Sequence, residues 1–325
     1  MDKQITLSAL NDELSQVRTK KKEFLDQIER IIPWDKWFEL ILPCYYKGER
    51  GNKPYDLERM LRIYLIQNLY NLSDMATVAE VIDSRAFSEF CGVESSNQVP
   101  DGDTLGRFRN LLVKNGIQEK LFSQVYELLT ERGLILKKGT IVDSTIIAAP
   151  SSTKNREKKR DPDAHQTKKG NTWHFGYKAH IGVDKDSGLV HTLKVTSANV
   201  HDVTVTSELL TGEETSVHGD SGYLGAEKRE DAITRNDQGK RIKYKINRRP
   251  SQSKNRSARS QGQIKRREHE KSSIRAKVEH VFGVVKGQLR FRKTRYRGLQ
   301  KQIAKFNMMF ALANLLLADR PCLSA

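Results

Sequence analysis

The first chemical signal lies between Arg275 and Lys286. On a helix turning roughly 100° per residue, Arg275, Glu279 and Lys286 fall within about 40° of one another and project in one direction. A carboxylate flanked by two cations suits a metal ligand beside groups that hold phosphates, because the Glu needs a dication and the cations need an anion. The same three residues also describe an exposed salt-bridged helix, with Arg275 and Glu279 as an ordinary i,i+4 pair. Two upstream carboxylates weigh against that plainer reading. Asp143 is the one charge in the β-branched run Thr140 to Ile147, and a carboxylate in a buried strand must sit at an edge, be paired or bind a metal. Asp220 ends the short strand Thr215 to Asp220 and precedes the turn Ser221-Gly222-Tyr223, at the kind of strand end where ligands collect in α/β sheets.

The elements that must position these groups change character near residue 135. Before it, apolar residues recur at helical spacing from Leu7 to Ile32, in Trp34 to Leu42, from Asp56 to Leu69, and in Ser73 to Ile82, Ser84 to Phe90, Asp103 to Lys114 and Gln118 to Glu131. This predicts an all-helical domain over 1–134, serving DNA-end binding, dimerisation or both, with Arg85, Arg107 and Arg109 as its candidate DNA-facing cations. After it, strands are predicted at Asp143, in the hairpin from Trp173 through Val183 to Leu189–Thr196, at Asp220 and over Arg241 to Ile246. Short helices are expected at Val203 to Leu210, with Asp202 as its N-cap, and at Gly225 to Asn236. In the hairpin, Trp173, Phe175, Tyr177, Ala179, Ile181 and Val183 share one face while His174, Lys178 and His180 share the other, where they could line a strand path. Two polar, basic stretches, 150–171 and 247–271, read as loops that contact phosphate or stay unfolded. The second contains Arg248, Arg249, Lys265, Arg266 and Arg267. Leu299 to Ala318 is a mostly apolar closing helix.

Charge identifies the class of partner. The 325 residues carry a net +17, and the excess is one-sided: residues 1–132 hold 18 Lys and Arg against 21 Asp and Glu, leaving 39 against 19 for residues 133–325. A polyanion should therefore lie across the second half. No apolar run approaches the roughly 20 residues a bilayer requires, and no apolar secretion segment opens the chain, which predicts a cytoplasmic protein that does not enter membranes. Cys44, Cys91 and Cys322 form no metal or disulfide pattern. Three carboxylates converging on one sheet edge of a basic protein have an economical use, which is to hold two divalent cations. Two Mg²⁺ ions stabilise the attacking and leaving oxygens of an in-line phosphoryl displacement, and Mn²⁺ could substitute.

Several of these segments together resemble the DDE transposases of bacterial insertion sequences, most closely the insertion sequence 5 family. The resemblance is carried by Val142-Asp143-Ser144-Thr145-Ile146-Ile147, by Gln166 to Asn171 with Trp173-His174-Phe175-Gly176 and Lys178 to Asp184, by Asp220-Ser221-Gly222-Tyr223, and by Arg275 with Val278-Glu279-His280 and Lys286. It extends from the Pro54-Tyr55 region onward. It implies an α/β fold with a ribonuclease-H-like catalytic core over 135–325, a mixed sheet flanked by helices, preceded by the helical domain. It also implies Asp143, Asp220 and Glu279 as the catalytic, metal-binding triad. Lys286 would grip the terminal DNA. The family pattern has a Tyr where this chain has Ser272, so a Tyr-mediated DNA contact is not expected. Arg275, Lys286, Lys178, His180, Trp173, Tyr223 and the basic segments are the candidate DNA contacts, Trp173 by stacking on an unpaired base or else by packing in the core. The expected partners are the double-stranded terminal inverted repeats and target DNA, handled by a homodimer or higher homo-oligomer. Two alternatives remain open here: a ribonuclease-H-like nuclease that cuts without joining, and a catalytically silent DNA-binding repressor.

Overall fold

The computed structural model describes residues 18–46, 53–249 and 258–320, so the first turns of the helix expected from Leu7, and Cys322, lie outside the described residues. Most helices of the first half open where a short polar side chain accepts an otherwise unpaired backbone amide. Thr19 accepts from Lys22 at the start of α1 (Lys20–Ile31), and α2 (Trp34–Ile41) follows Pro33. Asp56 caps α3 (Leu57–Leu69), Ser73 caps α4 (Asp74–Asp83), α5 (Arg85–Phe90) follows directly, and Asp101 caps α6 (Gly102–Lys114). The region closes with α7 (Ile117–Glu131).

The sheet comprises β1 (Thr140–Ala148), β2 (His165–Lys169), β3 (Thr172–Asp184), β4 (Val190–Ser197), β5 (Ser216–Gly219) and β6 (Lys243–Ile246). β3 lies antiparallel to β1, β2 and β4, whereas β1, β5 and β6 run parallel. The order β4-β3-β1-β5-β6 is the mixed, ribonuclease-H-like arrangement. After it come α8 (Ala258–Gly283), one π-helical turn over Val284–Gln288, and the apolar helix α9 (Leu299–Ala318).

Side-chain alternation assigns the two faces of the sheet. Ile141, Ile147, Tyr177, Ala179, Ile181 and Val183 bury on one face against Val278 and Val281 of α8 and the apolar length of α9. That cluster continues without a break into the helical region through residues such as Leu61, Leu121 and Val125, so helices and sheet share one core across residue 134. Val142 points the other way and packs with Val205, Leu209, Val217, Tyr223, Ile242 and Ile246. Both faces are therefore covered. Among the described residues no helix is long and apolar enough to cross a membrane.

Three local expectations are corrected. The stretch 150–171 is not all loop: its end folds as β2 and pairs Gln166 with Phe175 and Lys168 with Trp173. Residues 247–271 do not stay unfolded where described, because α8 begins at Ala258. Its Gln-, Arg-, Lys- and Glu-rich composition favours helix, and Lys271 lies 2.8 Å from Glu268 one turn before it. The helices expected at 203–210 and 225–236 are reduced to 3₁₀ turns at Asp202–Val205, Ser207–Leu209 and Ala226–Lys228.

Candidate active site

Strand register brings the first two carboxylates together. Thr140 pairs with Val217 and Ile141 with His218 in the parallel β1–β5 ladder, so extending the register by two residues sets Asp143 beside Asp220 on strands about 5 Å apart. Asp143 points to the face that α8 covers, since its antiparallel partner is the core residue Ile181. On α8, Val278 and Val281 bury against the sheet while Glu279 stays exposed at the rim. Arg275, one turn earlier, reaches inward: its Nη2 lies 3.6 Å from Asp143 Oδ2. Thus Arg275 turns to Asp143, and among the described residues it forms no ion pair with Glu279.

The three carboxylates share one electrostatic field. Asp143, only 14% exposed, has its pKa pushed up to about 6, first by burial and further by the charges of Asp220 and Glu279. The Ser144 amide, which donates to Asp143 Oδ1 at 2.7 Å, and the Arg275 guanidinium pull it back only in part. Among the described residues no three Asp, Glu, His or Cys side chains form a ready metal-binding group. The reason lies in the contacts: Arg275 stands against Asp143, and Asp220 Oδ1 is turned to accept the Gly222 amide at 2.8 Å. Three hard oxygen donors that repel one another, one of them mostly desolvated, fit a divalent cation of the Mg²⁺ or Mn²⁺ kind, whose charge would relieve the repulsion.

On the opposite face of β1 and β3 lies a second charged cluster. Lys178 Nζ sits 2.9 Å from Asp202 Oδ1 and donates to the Val200 carbonyl at 2.7 Å, while His180 Nδ1 lies 3.5 Å from the same carboxylate. Asp202 is not the expected N-cap, since His201 occupies that position and makes no side-chain cap bond. Burial holds the His180 pKa down to about 4 against the opposing pull of Asp202. Tyr223 is 1% exposed and its hydroxyl has no partner among the described residues. Burial first, then Asp202, Asp143 and Asp220, raise its pKa well above the ordinary phenol value. Lys178, His180 and Tyr223, expected as DNA contacts, are therefore enclosed beneath the 198–210 segment and are not offered to a strand. Asp202 is the residue sequence reasoning misplaced: its partners lie more than twenty residues upstream, and no motif ties it to them.

The remaining cations are outside. Lys286, half-buried on the π-helical turn, has its pKa lowered by burial first and then by Lys169, with Glu279 acting in the opposite sense. It therefore stands within electrostatic reach of both Lys169 on β2 and Glu279. Trp173 is 64% exposed, which removes it from the core. Arg248, Arg249, Lys265, Arg266 and Arg267 are exposed on β6's exit and along α8, and the Arg248 amide donates to Glu268 Oε2 at 2.9 Å. Of the helical cations, Arg85 pairs with Glu89, Arg107 donates to Thr104, and Arg109 is 11% exposed and bound to Asp74.

Two family models match the chain. The family described as Transposase DDE domain matches residues 136–315, and that described as Transposase domain (DUF772) matches residues 12–111. Among solved structures, a cryo-EM synaptic complex of piggyBac transposase with hairpin DNA superposes with a TM-score of 0.47 at 10% identity, over 87% of this chain and 70% of that one.

Proposed function

The chain belongs to the family of transposases with a DDE domain, and from that premise we propose that it cuts DNA at the ends of an insertion sequence and joins the freed 3′-hydroxyl to target DNA, in the manner of the insertion sequence 5 group. The observation that carries this reading is the parallel β1–β5 register that runs Asp143 toward Asp220, with Arg275, one turn before Glu279 on α8, 3.6 Å from Asp143. Asp143, Asp220 and Glu279 would hold two Mg²⁺ ions, with Mn²⁺ able to replace them, which when bound activate water and stabilise the attacking and leaving oxygens of phosphoryl transfer.

The chain's own residues do the rest. Arg275 keeps the desolvated Asp143 charge compensated until DNA and cations arrive, and its guanidinium is then free to receive a phosphate. Lys286 stands where the backbone of the terminal strand passes Glu279. Exposed Arg248, Arg249, Lys265, Arg266 and Arg267 extend the phosphate track along α8, and Trp173 offers a stacking surface to an unpaired base. Residues 1–134 would bind the element end or pair protomers, and residues 135–325 form the catalytic domain. Because two ends are joined in one event, the working unit is at least a homodimer.

The test uses the full chain, Mg²⁺, and labelled duplexes carrying the DNA that borders its gene. A strand-transfer product joined through a 3′-hydroxyl, absent for Asp143→Asn, Asp220→Asn and Glu279→Gln, supports the proposal. Hydrolysis without joining would make the protein a nuclease, and tight binding with neither reaction would make it a repressor.

A further inference from the structure

At the junction of the helical region and the catalytic domain lies a cleft of about 570 Å³, lined from one side by Asn71 and Arg109 and from the other by Lys293, Thr294, Arg295 and Tyr296. Its charge is unbalanced. Arg109 is taken up by Asp74, donates to the Tyr296 hydroxyl at 3.0 Å and stacks 3.9 Å from that ring. Exposed Lys293 and Arg295, by contrast, join no ion pair among the described residues; the Arg295 Nε donates to the Asn71 carbonyl at 2.7 Å, which fixes the guanidinium at the rim. Two donors on lining residues have no partner among the described residues: Thr294 Oγ1, on a residue 2% exposed, and Arg109 Nε. Buried polar groups of this kind are normally satisfied, so two unpaired donors on lining residues, together with two uncompensated cations, mark a place for an anion that accepts several hydrogen bonds.

We infer that this cleft is a DNA-phosphate clamp, built jointly by the helical region and the catalytic domain, and that it takes the backbone of one strand a short distance from the cleavage point. The inference rests on the transposase reading above. The occupant is a polymer because the cations continue past the rim through exposed Arg290 and Arg292 of the same segment, farther than a single small anion extends. The segment is anchored to β1: the Thr294 amide donates to the Ala148 carbonyl at 2.8 Å, and the Ala148 amide to the Arg292 carbonyl at 3.2 Å. Ala148 lies five residues beyond Asp143 on that strand, which sets the clamp about 17 Å from the carboxylates. A phosphate held there is a few nucleotides along the same strand from the one at the triad.

The test compares wild type with Lys293→Ala/Arg295→Ala, and with Lys36→Ala/Lys228→Ala as a charge-matched control, after circular dichroism confirms that all are folded. Binding of a fluorescein-labelled mixed-sequence duplex is followed by anisotropy across a KCl series. The clamp variant is expected to lower the slope of log affinity against log salt by about 2, with at least a tenfold loss of affinity at low salt, and the control to leave both unchanged. A single methylphosphonate, moved one position at a time through the nucleotides beside the cut, should weaken wild type at one position and leave the clamp variant unaffected there. An unchanged slope in the clamp variant overturns the inference. So does a melting-temperature rise with inorganic phosphate or pyrophosphate that the variant loses while its duplex binding is intact, because the cleft would then be a free-anion site. A protein that cuts and joins with an unchanged slope refutes the clamp alone. One that binds through the cleft but yields no joined product refutes the proposed function alone.

Discussion

Replacing Asp143 by Asn should remove activity and at the same time stabilise the cation-free protein. The carboxyl is 14% exposed and its pKa is pushed up to about 6, against roughly 4 for an ordinary aspartate. A folded-state value above the unfolded one means the native protein holds the proton more tightly, so stability falls as pH rises through this window and the loss is complete above about pH 6. Two pKa units correspond to about 3 kcal/mol at pH 8 and about half that at pH 5. Asparagine keeps an acceptor for the Ser144 amide and discards the charge that burial, Asp220 and Glu279 oppose. For a chain of this size the gain is about 4 °C in melting temperature at pH 8. The assay is a melt in EDTA at pH 8 and pH 5, then with added Mg²⁺. Mg²⁺ should raise the wild type toward the variant by binding only the native state, and should leave the variant where it was. A variant that melts at or below wild type at pH 8, or a gain that does not shrink at pH 5, refutes the reasoning.

Lys305, on the buried face of α9, donates to Asn68 Oδ1 at 2.8 Å and has its pKa lowered to about 7 by burial and then by Arg295 and Arg109. The unfolded chain therefore binds the extra proton between about pH 7 and pH 10, and stability should rise with pH across that window; Lys305→Met should flatten the rise in urea midpoints. Asp202→Asn leaves the Lys178 ammonium, 8% exposed, without its counter-charge, and should cost about 3–5 kcal/mol in urea unfolding. Adding Lys178→Met to that variant should restore most of the loss. At Gly176 a Cβ would stand 2.1 Å from the Ile147 carbonyl oxygen, so Gly176→Ala should force β1 and β3 apart and abolish cooperative thermal unfolding of the wild-type kind, whereas Gly262→Ala, with open space around it, should leave the melt unchanged.

Much of the scaffold was legible in residue order because its causes are local. Asp56, Ser73 and Asp101 mark helix starts through a bond to an amide three residues on, the alternation around Lys178 marks a strand, and the apolar length of 299–318 marks a buried helix. Asp143 stood out as a charge within an apolar strand and Asp220 as one at a strand end, and these two gave weight to the shared face of Arg275, Glu279 and Lys286, which by spacing alone also fits a salt-bridged helix. The lopsided charge and the all-helical first half were likewise properties of composition and period.

What the chain could not state locally is which groups meet. Alternation put Lys178 and His180 on one side of β3, but whether that side faces solvent depends on the 198–210 segment folding back over it, a contact set by the packing of Val205 and Leu209 on Val142. The same packing buries Tyr223 and makes Asp202 a counter-ion instead of a cap. Arg275 had two acids within reach of its long side chain; the position of α8 against β1 decided for Asp143. The junction cleft has no sequence signature either, since Arg109 and Arg295 are nearly two hundred residues apart and only the continuous core beneath them brings their side chains to one place. Period and capping act over a few residues and are written in the order of the chain, whereas burial, charge pairing and clefts depend on surfaces that exist only after distant segments have packed.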